Sequence, residues 1–118
     1  MWVFFKDGFI SAVQNKDDPE ELIVRARSKE HLKSFLGPFS EDFITETPDA
    51  DYQFRAFVDR EVFVALMADH ANEVDYPNFK KSCSHLSYLW QTVLLKTWAA
   101  CFDFQLRSKV GPGDLDDS

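Results

Sequence analysis

The chain has 118 residues, 45% of them hydrophobic, with twelve Phe, three Trp and three Tyr, enough bulky apolar material for one domain to bury a core without staples. Twenty acidic against thirteen basic residues leave a formal net charge of -7, a field that repels nucleic acid and anionic membranes, so general DNA or RNA binding is not expected while a basic protein partner is compatible. The opening MWVFFKDGF meets Lys6, Asp7 and Gly8 too soon for a secretion signal, and the most apolar stretch, residues 86–106, is interrupted by Gln91, Lys96 and Asp103, so no membrane span and a cytoplasmic location are expected.

In chain order, residues 2–5 and 9–14 flank Asp7-Gly8, which reads as a β-hairpin whose turn wants positive φ. The polar run NKDDPEE, residues 15–21, reads as a loop. LIVRAR, residues 22–27, places Leu22, Val24 and Ala26 on one side and Ile23, Arg25 and Arg27 on the other, the alternation of a half-buried strand. Ser28 is a fitting N-cap for a short helix to Leu36, stopped by Gly37-Pro38. A strand is expected over residues 43–47. Another, over residues 52–58, puts Tyr52, Phe54, Ala56 and Val58 on one face and Arg55 on the other. Asp59 then caps a helix to about Val74 with the stripe Phe63, Leu66, Met67, His70 and Val74. A last helix is predicted from Pro77 towards Leu106, bent near residues 82–85, and the acidic tail from Ser108 has no apolar period.

The junction EVDYPNFKK between the last two helices has a structural reading. Pro77 keeps Tyr76 out of the α region and so ends the preceding helix at or before Asp75, and it suits the first position of the next helix. A break of this kind does not by itself require Tyr76, Asn78 and Lys80. Cys83 and Cys101, if on one helix, lie roughly 27 Å apart at the standard rise, beyond the span of a disulfide, and read as reduced, mostly buried thiols.

Together MWVFFKDGFISAVQ, LIVRARS, ADYQFRAFV, DYPNFK and LLKTW resemble a small bacterial or phage protein family of about this length. Its members start Met-Trp and carry a Gly-Phe-x-Ser hairpin, an Arg-x-Arg strand, an Asp-Tyr-x-x-Arg strand and an Asp-Tyr-x-Asn-Phe-Lys junction. The likeness covers most of residues 1–100, except a divergent stretch over 82–92. The resemblance implies a bacterial or phage origin and carries over no catalytic residues.

The search for chemistry is mostly negative. The Gly-x-Gly at residues 111–113 lies in the tail rather than between a strand and a helix, so it makes no phosphate loop. His31, His70 and His85 lack ligand spacing with either cysteine, and no metal or cofactor is expected. His70 on an apolar stripe reads as a hydrogen-bonded core residue. Cys83 and His85, two apart on a helix, point away from each other and make no dyad. The acidic clusters Asp17-Asp18, Glu20-Glu21 and Asp49-Ala50-Asp51 lack calcium-loop spacing and read as solvated loops.

One constellation remains. Arg25, Arg27 and Arg55 meet on the outer face of a sheet if their strands pair, giving a cationic patch in an acidic protein, with Trp2, Tyr76, Asn78 and Lys80 as candidate neighbours. The competing reading pairs these arginines with surface carboxylates. The expected fold is α+β: a mainly antiparallel sheet of four or five strands over residues 1–107, covered on one face by two or three helices, with residues 108–118 as a flexible acidic tail. The expected function is a non-catalytic binding or regulatory module working through protein–protein contacts. The alternative is a protein or enzyme that binds an anionic small molecule at the arginines. The broad apolar stripe of residues 86–106 adds the expectation of a homodimer.

Overall fold

The computed structural model describes residues 1–109 and has a five-stranded antiparallel sheet with helices, an α+β fold. The strands are β1 (Trp2–Phe5), β2 (Gly8–Asn15), β3 (Asp18–Ala26), β4 (Thr45–Glu46) and β5 (Phe54–Asp59), in spatial order β1-β2-β3-β5-β4. The helices are α1 (Lys29–Leu36), α2 (Arg60–Asn72), the single turn α3 (Phe79–Ser82) and α4 (Tyr88–Arg107). The chain forms two compact units, the first ending at Phe79 and the second beginning at Lys80, just after the Pro77 junction. The acidic tail expected from Ser108 lies, from residue 110 on, outside the described residues.

In the first unit the alternation read in LIVRAR carries into the core. Leu22, Val24 and Ala26 are buried and pair across strands with Val58, Ala56 and Phe54. Cross-strand partners project to the same face, so Val3, Phe5, Ile10 and Ala12 join them there. Helix α1 contributes Leu32 and Phe35 to this face, and α2 contributes Phe63, with Leu66 and Met67 packed alongside. Ser28 caps α1 as expected, its side chain accepting from the His31 N–H at 3.3 Å. Gly37 ends the helix with φ +110 and donates to the Lys33 carbonyl, the left-handed C-terminal geometry that glycine adopts freely. His70 sits between α1 and α2 as a core histidine. Its Nε2 lies 2.9 Å from the Phe35 carbonyl, and its ring stacks on Phe35 with centroids 4.7 Å apart.

Several sequence-based boundaries shift. The first hairpin turns on Lys6-Asp7, and Gly8 is already the first residue of β2, with φ +152. Gly8 is needed there twice over, because a Cβ would also stand 2.3 Å from His31 Cγ. The run NKDDPEE is a second hairpin rather than a loop. Lys16-Asp17 forms its turn and Asp18 begins β3. The register slips between Gln14↔Leu22 and Asn15↔Asp18, leaving Pro19, Glu20 and Glu21 as an irregular insertion. Pro19 is tolerated because a bulge releases the residue from donating to its neighbour. Side chains complete the pairing: Asn15 donates to Glu21 Oε1 at 2.8 Å and Arg60 donates to the Pro19 carbonyl at 2.6 Å. Polar composition alone hides such a hairpin, since its stability comes from these partners.

The strand expected over 43–47 shrinks to β4, and Phe43 ends a 3-10 turn instead. Asp59 stands at the N-cap of α2 without making the side-chain cap, and Val74 falls beyond the helix and is exposed. The last predicted helix is broken rather than bent. Helix α3 stops at Ser82, and Ser87 caps α4 by accepting from the Trp90 N–H at 3.2 Å. Pro77 lies two residues before α3 rather than opening a helix.

In the second unit Cys83 and Leu94 are buried. The Gln91 amide donates to the Cys83 and Leu86 carbonyls, tying the turn before α4 to its first turns. Cys101 is exposed, contrary to the expectation of buried thiols, because the helix around it is uncovered: every residue from 98 to 109 is exposed. No helix among the described residues is long and apolar enough to cross a membrane.

Candidate functional site: an arginine row on the sheet

The face of the sheet opposite the α1–α2 core carries an unbroken cross-strand row. Trp2 pairs with Ser11, Ser11 with Arg25, Arg25 with Arg55, and Arg55 with Thr45. Antiparallel partners stand about 5 Å apart at Cα and project to one side, so Arg25 and Arg55 are like-charged residues paired directly across the strands. Ser11 is buried, Arg25 and Arg55 are half-buried, and Trp2 is exposed.

Arg25 donates from a terminal guanidinium nitrogen to Ser11 Oγ at 2.9 Å. Its guanidinium also stacks 4.4 Å over the Tyr52 ring, and Arg27 stacks over the same ring at 4.2 Å. Arg27 Nε donates to the Asp51 carbonyl at 3.1 Å. Tyr52 is thus a shared platform for two arginines, a role the sequence reading missed by placing it with Phe54, Ala56 and Val58 on the core side. The period-2 rule fails there because Tyr52 precedes β5, in a bend, and the bend turns its ring to the arginine face. The spacing of Asp51-Tyr52 ahead of a strand was the signal available, since an aspartate there can fix the turn. Asp51 Oδ1 does accept from the Tyr52 N–H, at 2.9 Å.

Among the described residues no carboxylate lies within ion-pair distance of Arg25, Arg27 or Arg55. The reading that these arginines pair with surface acids finds no such pair among the described residues. The carboxylates of that corner have other partners: Asp51 holds Tyr52, and Glu46 accepts from Gln53 at 2.9 Å. The Nε atoms of both Arg25 and Arg55 are buried without a hydrogen-bond partner, which is uncommon for buried donors and costly to leave so.

The other candidates fall elsewhere. Tyr76 stacks on Phe79 with centroids 6.1 Å apart and lines a hollow of about 160 Å³ with Val3, Phe5, Met67 and His70. It belongs to the β1–α2 end of the core side, apart from the arginine row. Asn78 lies immediately before α3. Lys80 falls in the second unit, where its ammonium stands 4.4 Å over the Trp98 ring. A larger hollow of about 430 Å³ runs between Phe39, Phe43, Phe57, Val62 and Leu66 at the β5–α2 edge. Neither hollow is lined by an arginine of the row.

No group of histidine, cysteine, aspartate and glutamate able to hold a metal occurs among the described residues. Cys83 is buried and His85 exposed. His31 accepts from the Phe9 N–H through Nδ1 at 3.3 Å, and burial pushes its pKa down against the opposing pull of Asp7. Comparison with protein-family models, curated proteins and solved structures finds no match, so the geometry above carries the functional argument.

Proposed function

We propose that the protein is a non-catalytic binding module whose protein contact is made by α4, and that the first occupant of this surface is a second copy of the chain. The observation that carries the reading is the apolar stripe Tyr88, Leu95, Trp98, Phe102 and Leu106, which follows heptad-like spacing along α4 and is exposed throughout. Phe104 and Leu89, off that stripe, are 71% and 75% exposed. The exposed parts of Tyr88, Trp98 and Phe102 amount to about 270–450 Å² at the usual area of an aromatic side chain. With Leu95 and Leu106 added, that is as large as the greatest apolar patch a monomer ordinarily shows.

The stripe also suits its own two-fold image. A small residue, Ala99, stands at its edge near the middle of the helix. An antiparallel pair of α4 helices centred between residues 99 and 100 sets Lys96 of one copy opposite Asp103 of the other, where Asp103 also pairs with Arg107 of its own helix at 2.9 Å.

Sedimentation equilibrium at micromolar concentration tests the reading. The expected mass is twice 13.7 kDa, and a mass near the single value across the range overturns it. Leu95→Glu is expected to split the dimer by burying a charge in the seam. Lys96→Glu is expected to matter little, since a rim pair is worth about 0–1 kcal/mol.

A further inference from the structure

We propose that Arg25 and Arg55, with Arg27 beside them, form a binding site for a small oxyanion: the phosphate or carboxylate group of a small molecule. The inference stands independently of the α4 surface. It rests on three features that the fold maintains together and that folding alone leaves unresolved. Two arginines are direct cross-strand partners in adjacent strands, an arrangement that is destabilising between like charges. The chain holds twenty acidic residues, yet among the described residues none pairs with this pair of arginines or with Arg27. Both Nε–H groups are buried without an acceptor.

The same neighbourhood is otherwise well held. Ser11 fixes one terminal nitrogen of Arg25, Tyr52 lies flat beneath two guanidiniums, and the Asp51 carbonyl fixes Arg27. Such support keeps the donors in place at little further entropic cost on binding. What is lacking is negative charge with several acceptor oxygens. A water molecule supplies an acceptor but leaves the facing charges as they are. A phosphate or carboxylate supplies both, and the guanidinium fork matches its geometry.

The full-length protein, labelled with nitrogen-15, is titrated with sodium phosphate, sodium acetate and sodium chloride at matched ionic strength, and the arginine Nε–H resonances are followed. Saturable shifts of the Arg25 and Arg55 signals are expected with phosphate or acetate and not with chloride. A stronger response to phosphate identifies a phosphorylated ligand, and a stronger response to acetate a carboxylated one. No saturable shift with either overturns the proposal.

Arg55→Gln is expected to weaken the response about tenfold or more, the effect of losing one charge-assisted hydrogen bond. Its thermal midpoint without added anion should be unchanged or higher, because the substitution removes a facing like charge. A lowered midpoint with an undiminished phosphate response marks Arg55 as structural and overturns the site. The chain's own acidic end is the remaining source of carboxylate. If Asp114→Asn, Asp116→Asn and Asp117→Asn together shift the Nε–H signals in the absence of added anion, these carboxylates occupy the arginines and the proposal of a separate ligand fails.

Discussion

The sheet with its two helices and the long helix α4 use similar residues to opposite effect. Phe35 on α1 is 1% exposed, whereas Phe104 on α4 is 71% exposed. In the core of the first unit the apolar face of the sheet meets helices of matching pattern: the even-numbered residues of β3 and β5 stand opposite α1 and α2. On α4 the apolar residues lie all round the helix, and every residue from 98 to its end is exposed. The contrast teaches that periodicity states what a segment is able to bury. Whether it does so depends on a second surface, which the rest of the chain need not provide.

The largest expected effect tests the closed side of that contrast. Phe35→Ala removes a ring that touches Phe5, Phe63 and His70 and should cost about 3–5 kcal/mol in urea unfolding. A loss under about 1 kcal/mol would mean that this core is as loosely covered as α4. Next comes Gly8→Ala, which imposes both an unfavourable φ and a collision with His31. A loss of about 3 kcal/mol is expected. Shortening the neighbour by His31→Ala in the same chain should recover part of it, whereas strict additivity would show that the close approach is not the cause.

The same histidine sharpens the comparison by pH. Burial lowers the His31 pKa below its ordinary 6.5, and its Nδ1 must be unprotonated to accept from the Phe9 N–H. The stability it contributes is therefore fully present above pH 6.5 and is lost as pH falls below that value through the folded-state pKa. Unfolding midpoints of the wild type should drop on acidification more steeply than those of His31→Gln. Parallel curves would remove His31 from the account. The smallest effect belongs to the uncovered helix. Phe104→Ala should change the stability of the monomer by less than about 0.5 kcal/mol, measured at concentrations low enough to dissociate any dimer. A larger loss would show that α4 has cover within its own chain.

Local periodicity was legible to the extent that it needs only neighbours a few residues away. The alternation Leu22, Val24, Ala26, the cap at Ser28, the stop at Gly37 and the break before Pro77 could all be read from residue order. The fold class followed from their succession. The hairpin at residues 15–21 could not, because Pro19 and its acidic neighbours sit in the sheet by virtue of a register slip and of Arg60, which is 41 positions away. Nor could the place of Tyr52, since a bend before β5 reversed the side its ring would otherwise take.

The arginines show the division most clearly. The sequence by itself determined that Arg25, Arg27 and Arg55 lie away from the core, because a strand's side chains alternate with a period of two. Only the tertiary structure decided that Arg25 and Arg55 are direct partners, with Trp2 and Ser11 in the same row and Tyr52 beneath. Likewise it alone separated Tyr76 onto the core side and put Lys80 beside Trp98. Register and turn geometry are set by contacts between residues distant in the chain, and one residue's slip in register would have sent the same side chains to opposite faces.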